Sequence, residues 1–332
     1  MYRVSSLASV PDRVLDRWIR RLVLLVAVVA VAFVGIYVAD RWRPASPPIV
    51  DQRMAALEEA VRADPNDVSA RGQLADLYAV NGQYEEAIAQ YTAILETGKA
   101  DMLAHLSRGR VLQQTGALDA AAADFTAVVE LLVDGEMANV DPNLEAAYYS
   151  LGAIALEQDR PADAVGYLEK ALAIERSDAD ALNLIGRAYV ATGRPDDAIT
   201  ALRRATDFVP IGWAEPYQAL ATAYADAGDA DFAAWASAMV ALQTGDLSGA
   251  QTSLTALLEG SAAVDARIGL ALIAETRGDT AAAVTHYAEA LALDPDNVAA
   301  QMGAARVRPP ETVPSAAPLP DLPAPGAEGG DR

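Results

Sequence analysis

The sequence predicts an all-α protein, an α-solenoid of helix hairpins preceded by one transmembrane helix. Three observations carry that reading. The stretch Ala179–Pro210, ADALNLIGRAYVATGRPDDAITALRRATDFVP, reads as two amphipathic helices joined by a turn. The glycine that marks this turn recurs along the chain at spacings of 34 and 35 residues. Near the start, Leu22–Ala39 runs for eighteen residues without a charge.

In the first helix of the unit, Leu182, Ile185, Gly186 and Tyr189 fall at spacings of three and four, one face of a 3.6-residue period. Gly193-Arg194-Pro195 supplies the break, a glycine able to leave the right-handed region and a proline suited to an early helix position. Ala198, Leu202 and Ala205 repeat the spacing in the second helix, and Pro210 closes the unit. Small residues at Gly186 and Ala198 let the two backbones approach where the helices cross. One such hairpin cannot bury its own apolar face and needs a copy on each side.

The copies are present. The marker glycine stands at Gly82, Gly116, Gly193, Gly228, Gly245 and Gly278, and Asp159 holds the same place in one unit. Leu74, Ala75 and Tyr78 precede Gly82, with Ala87, Tyr91 and Ile94 after it; Leu151, Gly152 and Ala155, then Ala164, Leu168 and Ala171, flank Asp159. Leu270, Ala271 and Ala274 precede Gly278, followed by Ala283, Tyr287 and Ala290. This resembles the tetratricopeptide repeat family, with its pattern W-x2-L-G-x2-Y, A-x3-F, A and P, over roughly residues 63 to 306. The tryptophan place is not kept: it holds Arg71, His105, Tyr148, Leu182, Tyr217 and Arg267.

Composition excludes several chemistries. There is no cysteine, so disulfides, thiolate catalysis and cysteine metal sites are absent. The net charge of −21 is unevenly spread: residues 1–43 carry +4 and the remainder −25, a basic lead on an acidic body. Residues 1–21 form a short basic segment. The uncharged span 22–39 gives about 27 Å of helix, close to the hydrocarbon thickness of a bilayer. Trp18 on one side and Tyr37 and Trp42 on the other are placed as interfacial anchors. A buried core helix fits poorly with a run that is apolar all round. A cleaved signal peptide fits poorly with its length and with the lack of an A-x-A site. An uncleaved signal anchor in the cell membrane is the reading kept. Five arginines precede the span, which places the N-terminus in the cytoplasm and the body on the far side, in a bacterium the periplasm.

Residues 40–50 read as a proline-rich linker, and 51–307 as the solenoid: a half-repeat cap, about six units and a closing helix at 298–307. The tail, 308–332, has seven prolines and cannot pack a core of its own, so disorder is expected there. The rhythm breaks twice. Gly116 to Asp159 is 43 residues, and the surplus falls at Val133–Asn143, a candidate specificity loop or a tolerated insertion. Gly228 to Gly245 is only 17, half a period, so 229–245 is expected to serve two hairpins at once.

No catalytic set is visible. His105 and His286, the two histidines, read as packing or surface groups, and no H-E-x-x-H, G-x-S-x-G or phosphate loop occurs. No cofactor or metal is implied, and the acidic body argues against nucleic acid. The family resemblance implies instead a concave face built by first helices, lined by the fifth and ninth places of each. Those places hold Gly72 and Asp76, Leu106 and Arg110, Tyr149 and Ala153, Asn183 and Arg187, Gln218 and Thr222. Arg110, Tyr149, Asn183, Arg187 and Gln218 are therefore the expected partner-binding residues, suited to the carboxylates and backbone of an extended peptide. Members that clamp a C-terminal carboxylate use a Lys this chain lacks. The function expected is a membrane-anchored, non-enzymatic scaffold for a protein or peptide partner, as in envelope assembly or secretion. Its rivals are a chaperone-like holder of exported chains, an enzyme with an unrecognised site, and a unit that self-associates through its terminal helices.

Overall fold

A computed structural model describes residues 49–98 and 102–308, together with Leu25, Val26, Val29 and Phe33. Those four residues are helical and exposed. The remainder of the 22–39 span, the basic segment, most of the linker and the tail from Pro309 lie outside the described residues. Among the described residues no helix is long and apolar enough to cross a membrane.

Every regular element among the described residues is helical. In chain order they begin with α1 (Ile49–Ala63), α2 (Val68–Val80), α3 (Tyr84–Leu95), α4 (Met102–Gln114) and α5 (Leu118–Leu132). A 3-10 turn, Ala138–Val140, leads into α6 (Pro142–Glu157), α7 (Pro161–Ile174), α8 (Ala179–Ala191), α9 (Pro195–Phe208) and α10 (Glu215–Ala227). The last five are α11 (Ala230–Gln243), α12 (Leu247–Ala256), α13 (Ala263–Thr276), α14 (Thr280–Leu293) and α15 (Val298–Val307). The chain divides into two compact units at Ala70–Arg71, inside α2. In the first, α1 starts two residues before the expected Asp51 and buries no residue, and the Asp67 carboxylate accepts the Ala70 N–H to cap α2.

The second unit shows why these residues form hairpins. Each marker glycine has a positive φ, between 70° and 91°, and among the described residues Asp159, at φ 55°, is the one non-glycine residue to do so. A left-handed residue there ends one helix and redirects the chain, and Asp tolerates that conformation better than most side chains. Second helices open on carboxylates in their first turn, Glu85 and Glu86, Asp119, Asp163, Asp196 and Asp197, which the positive helix terminus favours. First helices α6, α8 and α15 are capped by Asp141, Asp178 and Asn297, whose side chains accept backbone N–H groups.

Packing within a hairpin depends on the small place in the first helix. A Cβ on Gly186 would collide with Leu202, one on Gly152 would lie 2.5 Å from Leu168, and one on Gly109 would press on the Phe125 ring at 3.0 Å. The large residue of each second helix thus occupies the space that the glycine leaves. Clusters then join hairpins in series: Leu106, Phe125, Val128, Leu151 and Ile154 form one, and a long one runs from Ala155 to Ile273. A third holds Ala271, Tyr287 and Ala300 and seats the closing helix. The insertion at 133–143 is no free loop. Its 3-10 turn lies against α7, and Ala138 packs on the cluster of Leu144, Tyr148 and Ala171.

The half-period region behaves as its length demands. First helices α4, α6, α8 and α10 touch in line. After α10 the line is taken up by α11, α13 and α15. Helix α11 is therefore the second helix of a hairpin with α10 and the first helix of one with α12, and the repeat has slipped by one helix.

Two glycine substitutions separate packing from propensity. Gly186→Ala should lower stability by about 1–3 kcal/mol through overpacking against Leu202. Gly166→Ala, in α7 with open space around its Cα, should raise it by up to about 1 kcal/mol. Thermal melts of the two variants check both signs, and equal shifts would show that the register is misassigned.

Candidate functional site

The expected binding residues lie on α4, α6, α8 and α10, the helices that pack in line. Their surroundings differ sharply. Arg110 is exposed on an open groove of about 520 Å³ with Asp76, Val80, Tyr84, Tyr91 and Gln114. Val80 is 84 % exposed there, an apolar side chain left in water. The Tyr91 hydroxyl donates to Asp76 at 2.5 Å, and Gln114 Nε2 donates to the Tyr84 hydroxyl at 2.7 Å. Burial first, and the Asp76 hydrogen bond second, push the Tyr91 phenol well above its ordinary range. Asp76 is thereby engaged by Tyr91, and Arg110 makes no hydrogen bond or ion pair among the described residues.

Two units along, Arg187 of α8 is likewise exposed and unpaired among the described residues. Gln218 of α10 is exposed, and Tyr149 of α6 is half-buried. Asn183 departs from the expectation. It is 3 % exposed, with its Oδ1 buried and without a hydrogen bond, because the line of helices closes over it. An amide so enclosed is not presented to a partner. The other arginines near this face are committed. Arg108 donates to Asp124 through Nε at 2.8 Å and Nη2 at 2.7 Å, with His105 Nδ1 2.8 Å from the same buried carboxylate. That arrangement clamps α4 onto α5 and accounts for His105 as a packing group; His286 lies 3.2 Å from Glu289 on the same helix. Among the described residues no group of His, Asp and Glu is arranged to hold a metal ion.

Acids gather where α6 meets α8. Burial, with the neighbouring Asp178 carboxylate next, pushes Glu145 up to about 7, and its Oε1 is buried without a partner. The Tyr149 phenol is pushed up to about 12, by burial and then by Asp180, Asp178 and Glu145.

A second feature lies where the repeat slips. A cavity of about 140 Å³ opens among α9, α11, α13, α14 and α15, walled by Trp235, Met239, Leu272, Tyr287 and Met302. Arg203 of α9 crosses to Asp265 of α13 at 2.9 Å, its guanidinium 5.0 Å from the Trp235 ring centroid. Arg306 of α15 holds Glu275 by two bonds, of 2.9 and 2.8 Å. Trp235 is 5 % exposed and its indole N–H has no acceptor, a deficit worth about 1–3 kcal/mol. Sequence reasoning missed this cavity. The 17-residue spacing from Gly228 to Gly245 was its one signal.

With the hairpins and this face described, the relatives can be placed. Sequence profiles of the tetratricopeptide repeat match residues 50–130, 155–210 and 235–298. The chain carries tetratricopeptide repeats. YrrB, described as a TPR protein with an unusual peptide-binding site, superposes with a TM-score of 0.50 at 20 % identity, over 60 % of this chain and 98 % of that one. The C-terminal part of a TPR repeat-containing protein from Cytophaga hutchinsonii gives 0.49 at 17 % identity, over 76 % and 94 %. MamA from Desulfovibrio magneticus RS-1 gives 0.47 at 23 % identity, over 54 % and 96 %. Likeness at these identities is a likeness of fold. No curated protein matches the sequence.

The Glu145 environment gives a stability test. A carboxyl raised above its unfolded value favours the fold in its protonated form. That contribution is whole below the ordinary pKa of 4.5 and is lost as pH rises through about 7. Glu145→Gln should therefore melt like the parent at pH 4. At pH 8 it should be more stable, by on the order of 1 kcal/mol once solvent screening is allowed for. A difference independent of pH would contradict the assignment.

Proposed function

We propose that this protein is a membrane-anchored scaffold that holds a protein or peptide partner along the face made by α4, α6, α8 and α10. The observation that carries the reading is the pair of cations, Arg110 and Arg187, without an ion pair among the described residues and exposed at the ninth place of two first helices in a chain of net charge −21. In so acidic a body, guanidinium groups without a carboxylate are available for charge-assisted bonds to an incoming one. Two helix spacings separate them, about 20 Å. An extended chain covers that distance in about six residues. The partner expected is thus an extended segment with acidic groups about six residues apart, laid across exposed Gln218, Tyr149 and the apolar Val80. YrrB is a precedent for peptide binding on this fold, not evidence for it here. Nothing in the arrangement resembles a nucleophile with its base, and binding is the activity read from it.

Anchoring rests on the uncharged run 22–39 and its arginine flank, which direct the body to the non-cytoplasmic side. The full chain should remain with membranes after an alkaline carbonate wash. A Val29→Asp/Phe33→Asp variant should be released, and release of the parent would remove the anchor from the reading.

For the face itself, the measurement is photocrosslinking in native membranes with the parent and with Arg110→Glu/Arg187→Glu. Losing two charge-assisted bonds of about 1.5–3 kcal/mol each should cost at least a hundredfold in affinity. The double variant should melt like the parent yet lose a defined crosslinked partner. Capture of the same proteins by both forms would refute the groove as the binding surface.

A further inference from the structure

The cavity at the slip in the repeat is unused by the reading above, and it lies on the second line of helices, α11, α13 and α15. We propose that it is the docking site for the chain's own C-terminal segment, residues 309–332, which enters it with a leucine of the run Pro318-Leu319-Pro320-Asp321-Leu322-Pro323.

The cavity selects its ligand by what its polar groups have left to give. Arg203 already faces Asp265, and Arg306 already holds Glu275, so neither cation is free to draw in a phosphate or carboxylate. The indole N–H of Trp235 has no acceptor. That N–H is itself buried, so what the lining has left to offer an entering group is apolar surface. The volume, about 140 Å³, is close to that of an engineered apolar cavity known to take benzene, and a leucine side chain fits it. Its walls include the aromatic and thioether groups of Trp235, Tyr217, Tyr287, Met239 and Met302, with Tyr217 edge-on to Trp235 at 5.8 Å, beside Asp207 and the two ion-paired arginines. Aromatic-lined grooves grip proline-rich segments, which bind with little entropy left to lose, and methionine adapts to the shape of what enters. Its apolar lining reaches open water: Phe208 is 54 % exposed and Met302 55 %.

The place where the described chain stops favours this segment over a separate partner. Arg306 and Met302 line the cavity, and the described chain ends at Arg308, two residues beyond the first of them. The segment therefore starts three residues along the chain from Arg306. Leu319 lies eleven residues past Arg308. In a polyproline conformation that stretch reaches about 34 Å, ample for it to turn back past α15. A tether this short keeps the segment at millimolar effective concentration, well above what a free peptide attains. Apart from Val313, Leu319 and Leu322 are its large apolar side chains, and Pro318, Pro320 and Pro323 stand among them. A segment too polar and proline-rich to build a core has another element's surface as its means of burying them.

The test uses the full chain with a photoreactive benzophenone side chain in place of Met302, an exposed rim position. Irradiation should crosslink residue 302 to a peptide within 309–332 of the same chain, at a yield that does not change on hundredfold dilution. Leu319→Asp/Leu322→Asp should lower that yield at least tenfold while leaving the thermal melt unchanged, and Arg110→Glu/Arg187→Glu should leave the yield unaltered. Crosslinks only to other proteins would make the cavity a partner site and overturn the proposal. Yield that falls with dilution would assign the docking to a second copy and overturn the intramolecular reading. A yield indifferent to both leucines would remove the segment as the occupant.

Discussion

Closeness within each hairpin is the constraint on which the rest of the second unit depends. Gly109, Gly152 and Gly186 surrender a Cβ so that Phe125, Leu168 and Leu202 can lie against the opposing backbone. Two helices brought that near have no room between them for a core of their own. Their remaining apolar faces must be covered by the next pair, and the hydrophobic clusters accordingly run from hairpin to hairpin. Stability in such an array is a chain of nearest-neighbour terms. The closing helix α15 follows from the same need. Its Gly303 lies against the Tyr287 ring, repeating the glycine-to-large contact at the last described helix.

Because packing consumes the hairpin seams, the outward face of the first helices is left to carry chemistry. Charge along the array is sorted rather than neutralised. Arg108, Arg203 and Arg306 each meet a carboxylate on another helix, and the partly buried sites of these pairs make leaving either member alone costly. Those arginines are fasteners. Arg110 and Arg187 occupy the ninth place, one step around the helix from the seam, and among the described residues no acid pairs with them although acids outnumber bases in the chain by 46 to 25. Acids do crowd nearby at Glu145 and Asp178, but there the crowding raises a pKa instead of pairing a cation. The separation between fastening and unpaired arginines is why the latter are read as a surface for a partner.

Periodicity made the helices, the turns and the hairpin seams legible. The spacing alone put Asp159 in a glycine's place, and its left-handed backbone follows from the turn that place must make. It also put Arg110, Tyr149, Arg187 and Gln218 on helices that touch in line, since a repeat of 34 residues returns equal helices to equal positions. Depth was not legible. Tyr149 and Asn183 hold the same place in adjacent units, yet the first is half-buried and the second fully so. A period fixes the side of a helix a residue occupies and not how tightly the next unit closes over it. The insertion at 133–143 was legible as extra length, but not as the packed turn that Ala138 makes it.

The slip at α11 escapes periodic reasoning for a deeper reason. Equal spacing predicts contacts between equal places, whereas a half-period puts unequal ones together. Arg203, on a second helix, meets Asp265, on a first helix, across 62 residues of sequence. Had the array continued without the slip, α12 and α14 would have extended the side that α9 occupies. Losing one helix exchanges the sides, so that the side carrying α9 in the first part of the array becomes the side carrying α13 and α15 in the last. The exchange cannot be made flush, because side chains selected to pack against a second helix now face first helices. The cavity beside Trp235, with its unsatisfied N–H, is what that mismatch leaves. One unit of the chain thereby presents two faces of different character, one carrying unpaired cations and one apolar, from a single kind of repeat.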